Sequence, residues 1–173
     1  MPTGKWFACF SVEFAEPLPP WKGNAVVGID VGLESFATLS NGDKIGNPRF
    51  FRAEEKALAK AQRNLSKLPR GTLQRVRAIR IVERIHERIA NRRTDFVNQM
   101  GRQLVNRFGV IAFEDLNIKD IVHNHTLAKS ISDVAWRMLI KSTESKAAYA
   151  GSKVVLVDPK FTSQLCSRCG FDS

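Results

Sequence analysis

Cysteine is scarce in this chain of 173 residues, which holds three: Cys9, Cys166 and Cys169. An odd, sparse count excludes a disulfide-stapled scaffold. Cys9 lies inside an apolar run and reads as a small core residue. Long hydrophobic runs are missing as well, since none reaches the ~18 residues of a membrane-spanning helix, and the first residues carry no signal-peptide hydrophobic stretch. The expectation is a soluble, cytoplasmic protein. No internal repeat or low-complexity segment interrupts the chain. At 43% hydrophobic and 25% charged residues it has an ordinary globular composition, long enough for one domain with a sizeable core.

Acidic residues are also few, with 17 Asp and Glu against 27 Lys and Arg, for a net charge of +10 and a pI near 10.0. The location of the excess matters more than its size. Residues 52–107 hold 15 basic and 5 acidic residues, while the remainder holds 12 of each and is neutral. A basic stretch confined in this way fits a polyanionic partner. The plainer alternative is a solvated helical face.

Against that background the secondary-structure pattern is clear. Residues 5–14 alternate loosely and read as a strand, followed by a break at Pro17, Pro19 and Pro20. Residues 25–30 form an apolar run, and residues 35–40 a second strand. Asn41-Gly42 signals a type I′ turn, and a third strand follows over roughly Lys44 to Phe51. Helical sequence extends from about Ala53 to Arg107 and is divided by Pro69 and Gly71. In the second helix Ala78, Val82, Ile85, Ile89, Phe96 and Met100 fall within about a 60° sector. Arg77, Arg80, Arg84 and Arg88 form another narrow sector, and Arg92 and Arg93 continue the basic run. Gly109 stops the helix, and Val110–Glu114 reads as a buried strand of parallel type. Residues 127–150 are helical in character with Gly151 as C-cap, and Lys153–Val157 is a last buried strand, closed by Asp158-Pro159. The order β-β-β-α-(α)-β-α-β predicts an α/β fold with a mixed sheet.

Two acids end apolar strands: Asp30 after Val26-Val27-Gly28-Ile29, and Glu114 after Val110-Ile111-Ala112-Phe113. A carboxylate at the edge of a buried strand is costly unless something pairs with it. The first and fourth strands can be sheet neighbours, and two unneutralised carboxylates ~4 Å apart would repel by about 4 kcal/mol at an effective dielectric near 20. A bound Mg²⁺ removes that cost and can present a phosphodiester for hydrolysis. The alternative is that both are ordinary strand-end residues. Strand alternation lets only one of Glu114 and Asp115 face Asp30. Glu114 is preferred because it is nearer the buried run, and Asp158 is a weaker candidate.

Cys166-Ser167-Arg168-Cys169-Gly170 is half of a zinc-ribbon knuckle. Structural zinc takes four ligands, so His123 and His125 are candidate replacements, and a redox C-x-x-C is the other reading. The arginine sector suits a phosphate backbone and implies no base-specific reading. His86, in the same helix, reads as a packing or phosphate-contact residue.

Taken in order, Gly28-Ile29-Asp30-Val31-Gly32-Leu33, His86-Glu87-Arg88-Ile89-Ala90-Asn91, Ala112-Phe113-Glu114-Asp115-Leu116-Asn117, Leu127-Ala128-Lys129-Ser130-Ile131 and Asp158-Pro159…Thr162-Ser163-Gln164…Cys166-Ser167-Arg168-Cys169-Gly170 make a specific combination. From about residue 5 to its end the chain resembles the RuvC-like nuclease region of TnpB/OrfB transposon-associated proteins, relatives of the compact type V CRISPR effectors. The resemblance implies a ribonuclease H-like (RuvC-like) mixed sheet with a long arginine-rich helical insert and an incomplete zinc ribbon at the C-terminus. It also implies RNA-guided DNA cleavage at a site using Mg²⁺ or Mn²⁺. By motif match Asp30 and Glu114 are the first two catalytic, magnesium-holding carboxylates. Cys166 and Cys169 match the first zinc knuckle, with Zn²⁺ bound only if the missing ligands are supplied. Arg77, Arg80, Arg84, Arg88, Arg92 and Arg93 would lie along guide RNA or the RNA–DNA duplex. The expected location becomes nucleoid-associated.

Family members carry a second C-x-x-C, a third catalytic Asp beyond it, and a longer N-terminal region, all outside this sequence. The implied organisation is therefore residues 1–20 as the remnant of an N-terminal β domain and linker, 21–160 as the RuvC-like nuclease domain with its insert at about 53–107, and 161–173 as half a zinc ribbon. A fragment of an RNA-guided endonuclease, inactive or weak alone, is the leading expectation. A non-catalytic RNA- or DNA-binding regulator is the second. A sugar-kinase or actin-like ATPase shares the opening strand and Gly-x-Asp but needs glycine-rich phosphate loops, which were not found in the sequence.

Overall fold

The computed structural model describes residues 4, 6–13, 25–32, 34–115 and 135–158. Their elements are β1 (Val26–Asp30), β2 (Ser35–Leu39), β3 (Lys44–Gly46), α1 (Phe50–Ser66), α2 (Leu73–Arg107), β4 (Val110–Glu114), α3 (Trp136–Ala150) and β5 (Lys153–Val157). The order is the one the sequence predicts. The strands make one mixed sheet, β3-β2-β1-β4-β5. β4 lies parallel to both β1 and β5, while β2 is antiparallel to β1 and β3.

α2 and α3 cover one face of this sheet. Val27, Ile29, Phe36, Leu39, Ile111 and Phe113 point into a core closed by Val97, Leu104 and Val105 of α2 and Trp136, Leu139 and Ala147 of α3. Period-2 alternation explains the inward residues of β1 and β4, whereas in β2 a register shift between Ser35 and Ala37 lets Phe36 join Leu39 in the core. The indole N–H of Trp136 donates to the Phe36 carbonyl at 3.2 Å, which pins the start of α3 to β2.

α2 is 35 residues long, a rod of ~52 Å at about 1.5 Å per residue. Its C-terminal half packs on the sheet. Its N-terminal half packs on α1 through a second core of Leu58, Ile85 and Ile89. Phe96 joins the two cores, meeting Phe36 and Phe50 edge-on with ring centroids 5.0 and 5.8 Å away. At the hairpin bend the Thr72 side chain caps α2 by accepting from Arg75 N–H. Arg75 Nη1 donates to the carbonyls of Leu65 and Leu68, closing the end of α1.

Several local expectations are corrected. Residues 6–13 form no strand, and Trp6 and Phe10 are exposed. A strand needs a partner edge as well as alternation, and no described strand pairs with them. Cys9 accordingly is an exposed free thiol, not a core residue. The β2–β3 connection is not type I′, because Gly42 has φ 91° while Asn41 has no positive φ. Gly42 N–H donates to the Leu39 carbonyl and Leu39 N–H to the Asp43 carbonyl. This is a three-residue loop with a glycine bulge, stabilised by Asp43 N–H donating to Asn41 Oδ1. β3 ends at Gly46 rather than near Phe51, and α1 starts at Phe50 rather than Ala53. Pro48 removes a donor from any continuing ladder, and Arg49, at φ 48°, turns the chain into the helix. The end of α2 at Arg107 is where the sequence reading put it, and Gly109 N–H donates to the Ala25 carbonyl beside β1.

α2 and α3 approach closely at Gly101, where an added Cβ would meet Ser142 Oγ at 3.2 Å and Thr143 Oγ1 at 3.3 Å. Gly101→Leu is expected to cost about 1–3 kcal/mol through overpacking, measured as a lower urea midpoint. An unchanged midpoint would mean that the helices can separate there freely.

Candidate functional site

Parallel pairing puts β1 and β4 in register, with Gly28 opposite Ala112 and Ile29 opposite Phe113. One residue further on, both strands end in an acid, Asp30 and Glu114. Ile29 and Phe113 face the core, so alternation turns the two acids to the opposite face, which no described helix covers. There they line a pocket of about 360 Å³ with Asp158, which follows β5.

The floor of the pocket is made of small residues. Gly28 and Ala112 each stand two positions before an acid and share its face, and Ser40 closes the side by accepting from Gly28 N–H at 3.1 Å. The sequence reading missed this floor. The signal was present as a repeated spacing: a small residue, one core residue, then a carboxylate, in both strands.

Asp30 is exposed and Glu114 half-buried. Partial burial, followed by the nearby Asp30 charge, raises the Glu114 carboxyl above the usual glutamate range. Asp115, by contrast, is exposed, does not line the pocket and gives its N–H to the Val157 carbonyl. Asp158 lines the pocket without completing a metal-holding set, since among the described residues no three His, Cys, Asp or Glu side chains come together as one.

The basic stretch divides into distinct groups. Arg77, Arg80 and Arg84 are exposed on α2, as is His86. Arg88 and Arg92 are each about half-exposed and ion-paired to Glu54 of α1 at 3.4 and 3.2 Å. Arg93 is half-buried and lies off the ridge formed by the other five. Cys166, Cys169, His123 and His125 lie outside the described residues, as do residues 127–134 of the expected last helix. Among the described residues no helix is long and apolar enough to cross a membrane.

The sequence pattern of the family OrfB_IS605, described as "Probable transposase", matches residues 9–125. The chain belongs to the OrfB_IS605 family. A second pattern, "Cas12f1-like, TNB domain", matches residues 136–173. A Streptomyces pristinaespiralis protein named "Putative RNA-guided DNA endonuclease" is 40% identical over 97% of the chain and 42% of its own length. The Escherichia coli (strain K12) protein of the same designation, InsQ, is 28% identical over 96% of the chain and 45% of its own length. The "CRISPR-associated endodeoxyribonuclease Cas12f1" of Sulfoacidibacillus thermotolerans is 28% identical over 96% of the chain and 42% of its own length. The chain thus spans less than half the length of these curated relatives. A chain in the cryo-EM Cas12f1-sgRNA-target DNA complex superposes with a TM-score of 0.56 at 18% identity, covering 95% of this chain and 42% of that one. At that identity the likeness speaks for the fold: a mixed α/β sheet with helices.

If Asp30 raises the Glu114 carboxyl, Asp30→Asn should move the Glu114 titration down, though not fully to the ordinary value, because burial is the larger cause. A ¹³C titration of the carboxyl groups in the metal-free chain reads this directly. A raised folded-state value means that the folded chain binds more protons than the unfolded one between the two values. Metal-free stability should therefore fall as pH rises through that window, and the slope should flatten in Glu114→Gln. A Glu114 titration unmoved by Asp30→Asn would show that the two carboxylates do not sense each other.

Proposed function

We propose that this chain is the RuvC-like nuclease portion of a transposon-encoded RNA-guided DNA endonuclease, with a ribonuclease H-like sheet. The observation that carries the reading is the side-by-side placement of Asp30 and Glu114 at the ends of parallel neighbours β1 and β4, facing an open pocket. The family assignment supports it, as do the names of the relatives.

The donor set fits a hard divalent cation. Carboxylate oxygens are the ligands Mg²⁺ and Mn²⁺ prefer. Among the described residues no Lys or Arg forms an ion pair with either acid, and burial, followed by the Asp30 charge, raises the Glu114 carboxyl. Asp30 and Glu114 would hold the ion. When bound, it supplies Lewis-acid polarisation of a phosphodiester. Gly28 and Ala112 would leave room for a sugar–phosphate backbone close to the sheet, and Asp30 and Glu114 would hold the ion in the same pocket. The exposed arginines of α2 bind guide RNA or the RNA–DNA duplex through its phosphates. Cys166 and Cys169 are proposed as half of a zinc ribbon.

Two carboxylates alone would hold the ion weakly, so the chain by itself would cleave slowly or not at all. The exposed arginines of α2 also favour a second reading, a nucleic-acid-binding regulator without catalysis.

Mn²⁺ at about tenfold excess over its dissociation constant should stabilise the chain by about 1.4 kcal/mol. That is roughly 3–5 °C in the melting midpoint for a protein of this size. The shift should vanish in Asp30→Ala, and any Mn²⁺-dependent nicking of single-stranded DNA should vanish with it. An equal shift in Asp30→Ala would place the ion elsewhere. Salt-sensitive nucleic-acid binding with no Mn²⁺ effect at all would favour the regulator.

A further inference from the structure

Among the described residues, Glu54 is the one buried charged side chain, with 9% of its surface accessible. It stands one turn before Leu58 on the face of α1 that meets α2, beside the small core of Leu58, Ile85 and Ile89. Its two oxygens meet two arginines one turn apart on α2. Arg88 Nη1 lies 3.4 Å from both Oε1 and Oε2, and Arg92 Nη1 lies 3.2 Å from Oε1.

A helical staple does not require this arrangement. Replacing a buried ion pair by an apolar residue of similar volume is often neutral or stabilising, because desolvating charge is costly. Leu58 and Ile89 already show that this interface accepts apolar side chains. Packing alone therefore gives no reason for an acid at this position.

The contacts suggest one. Each guanidinium offers five N–H donors, and each of these arginines touches Glu54 through one terminal nitrogen. Neither forms the two-pronged pair that would consume its fork. Both side chains remain about half-exposed, at 55% and 52%. They continue the row of Arg77, Arg80 and Arg84 at spacings of three and four residues along one helical ridge.

We infer that Glu54 is a positioning residue for nucleic-acid binding: from within the α1–α2 hairpin it holds Arg88 and Arg92 with their outer N–H donors set for the phosphates of an RNA–DNA duplex. The inference rests on the proposed role of the α2 arginines. A free arginine loses much rotamer freedom when it grips a phosphate. Arginines already held on one side lose less, so the carboxylate raises affinity although it removes one unit of positive charge from the ridge. Simple charge counting gives the opposite sign, which makes the idea sharp.

The test uses a fluorescent 20-base-pair RNA–DNA heteroduplex of arbitrary sequence and follows its binding by the full chain over a range of salt. Glu54→Gln should weaken binding about three- to tenfold, the cost of ordering one or two long side chains. It should have no further effect once Arg88 and Arg92 are both Gln. Glu54→Met, which restores apolar packing, should keep the helical circular dichroism and melting midpoint yet bind as weakly as Glu54→Gln. Tighter binding by Glu54→Gln would make the acid a competitor of phosphate and overturn the inference. Unchanged binding, or loss of the fold in both variants, would make it a structural staple and overturn it equally. If the unsubstituted chain shows no salt-dependent binding, the arginine reading itself fails, and that outcome is distinct from a failure at Glu54 alone.

Discussion

Parallel pairing of β1 with β4 is the constraint on which the rest of the molecule depends. These two strands are the centre of the sheet, and each alternates between a face that closes the core and a face that α2 and α3 leave open. A slip of one residue would exchange the faces. Ile29 and Phe113 would leave the core, and Asp30 and Glu114 would enter it as buried carboxylates without cations. The hydrophobic effect therefore enforces the register that sets the two acids side by side. Stability and the candidate site are two consequences of one pairing.

The connection between those strands does more than cross over. Parallel neighbours need a long crossover, and here it runs through β2, β3 and two helices, of which α2 serves two cores. Its C-terminal half belongs to the sheet and its N-terminal half to the hairpin with α1. Phe96, in contact with both Phe36 and Phe50, couples the halves. The arginine ridge is therefore carried on a rod whose other end is anchored in the main core. A helix polar on one face and apolar on two successive packing surfaces gains its stability from tertiary contacts rather than from propensity, so charge can be crowded onto the remaining face.

Much of this was legible because it is encoded locally. The apolar runs that end in Asp30, Glu114 and Asp158 became β1, β4 and β5, and Pro69 with Gly71 marked the hairpin bend. Apolar spacing along α2 identified Ile85 and Ile89. Other features depended on partners that a linear reading does not contain. Residues 6–13 have the alternation of a strand, but alternation does not supply an edge to pair with, and Cys9 is exposed for the same reason. The loop after β2 followed from the pairing of Leu39 with Asp43, which leaves three residues to turn the chain where Asn-Gly alone suggested two. Glu54 could not be singled out among the acids of a basic stretch, because its burial is set by a helix whose contacting residues are more than thirty positions away.

Glu54 and Glu114 put the same chemical group in two environments. Both are carboxylates partly removed from water, Glu54 between two helices and Glu114 at a strand end in the pocket, and both pay the desolvation that goes with it. Glu54 is compensated within the protein by two guanidiniums. The charged group acting on Glu114 is Asp30, which worsens the cost and raises its carboxyl rather than lowering it. A fold has no structural use for an acid pair of that kind, since an apolar or amide side chain at either position would remove the repulsion. An arrangement that is unfavourable in the isolated chain becomes favourable when a cation is placed between its members. Charge of one sign that no described Lys or Arg offsets, held together by a register that the core enforces, is thus what the proposed metal-dependent reading rests on, more than the size of the pocket that contains it.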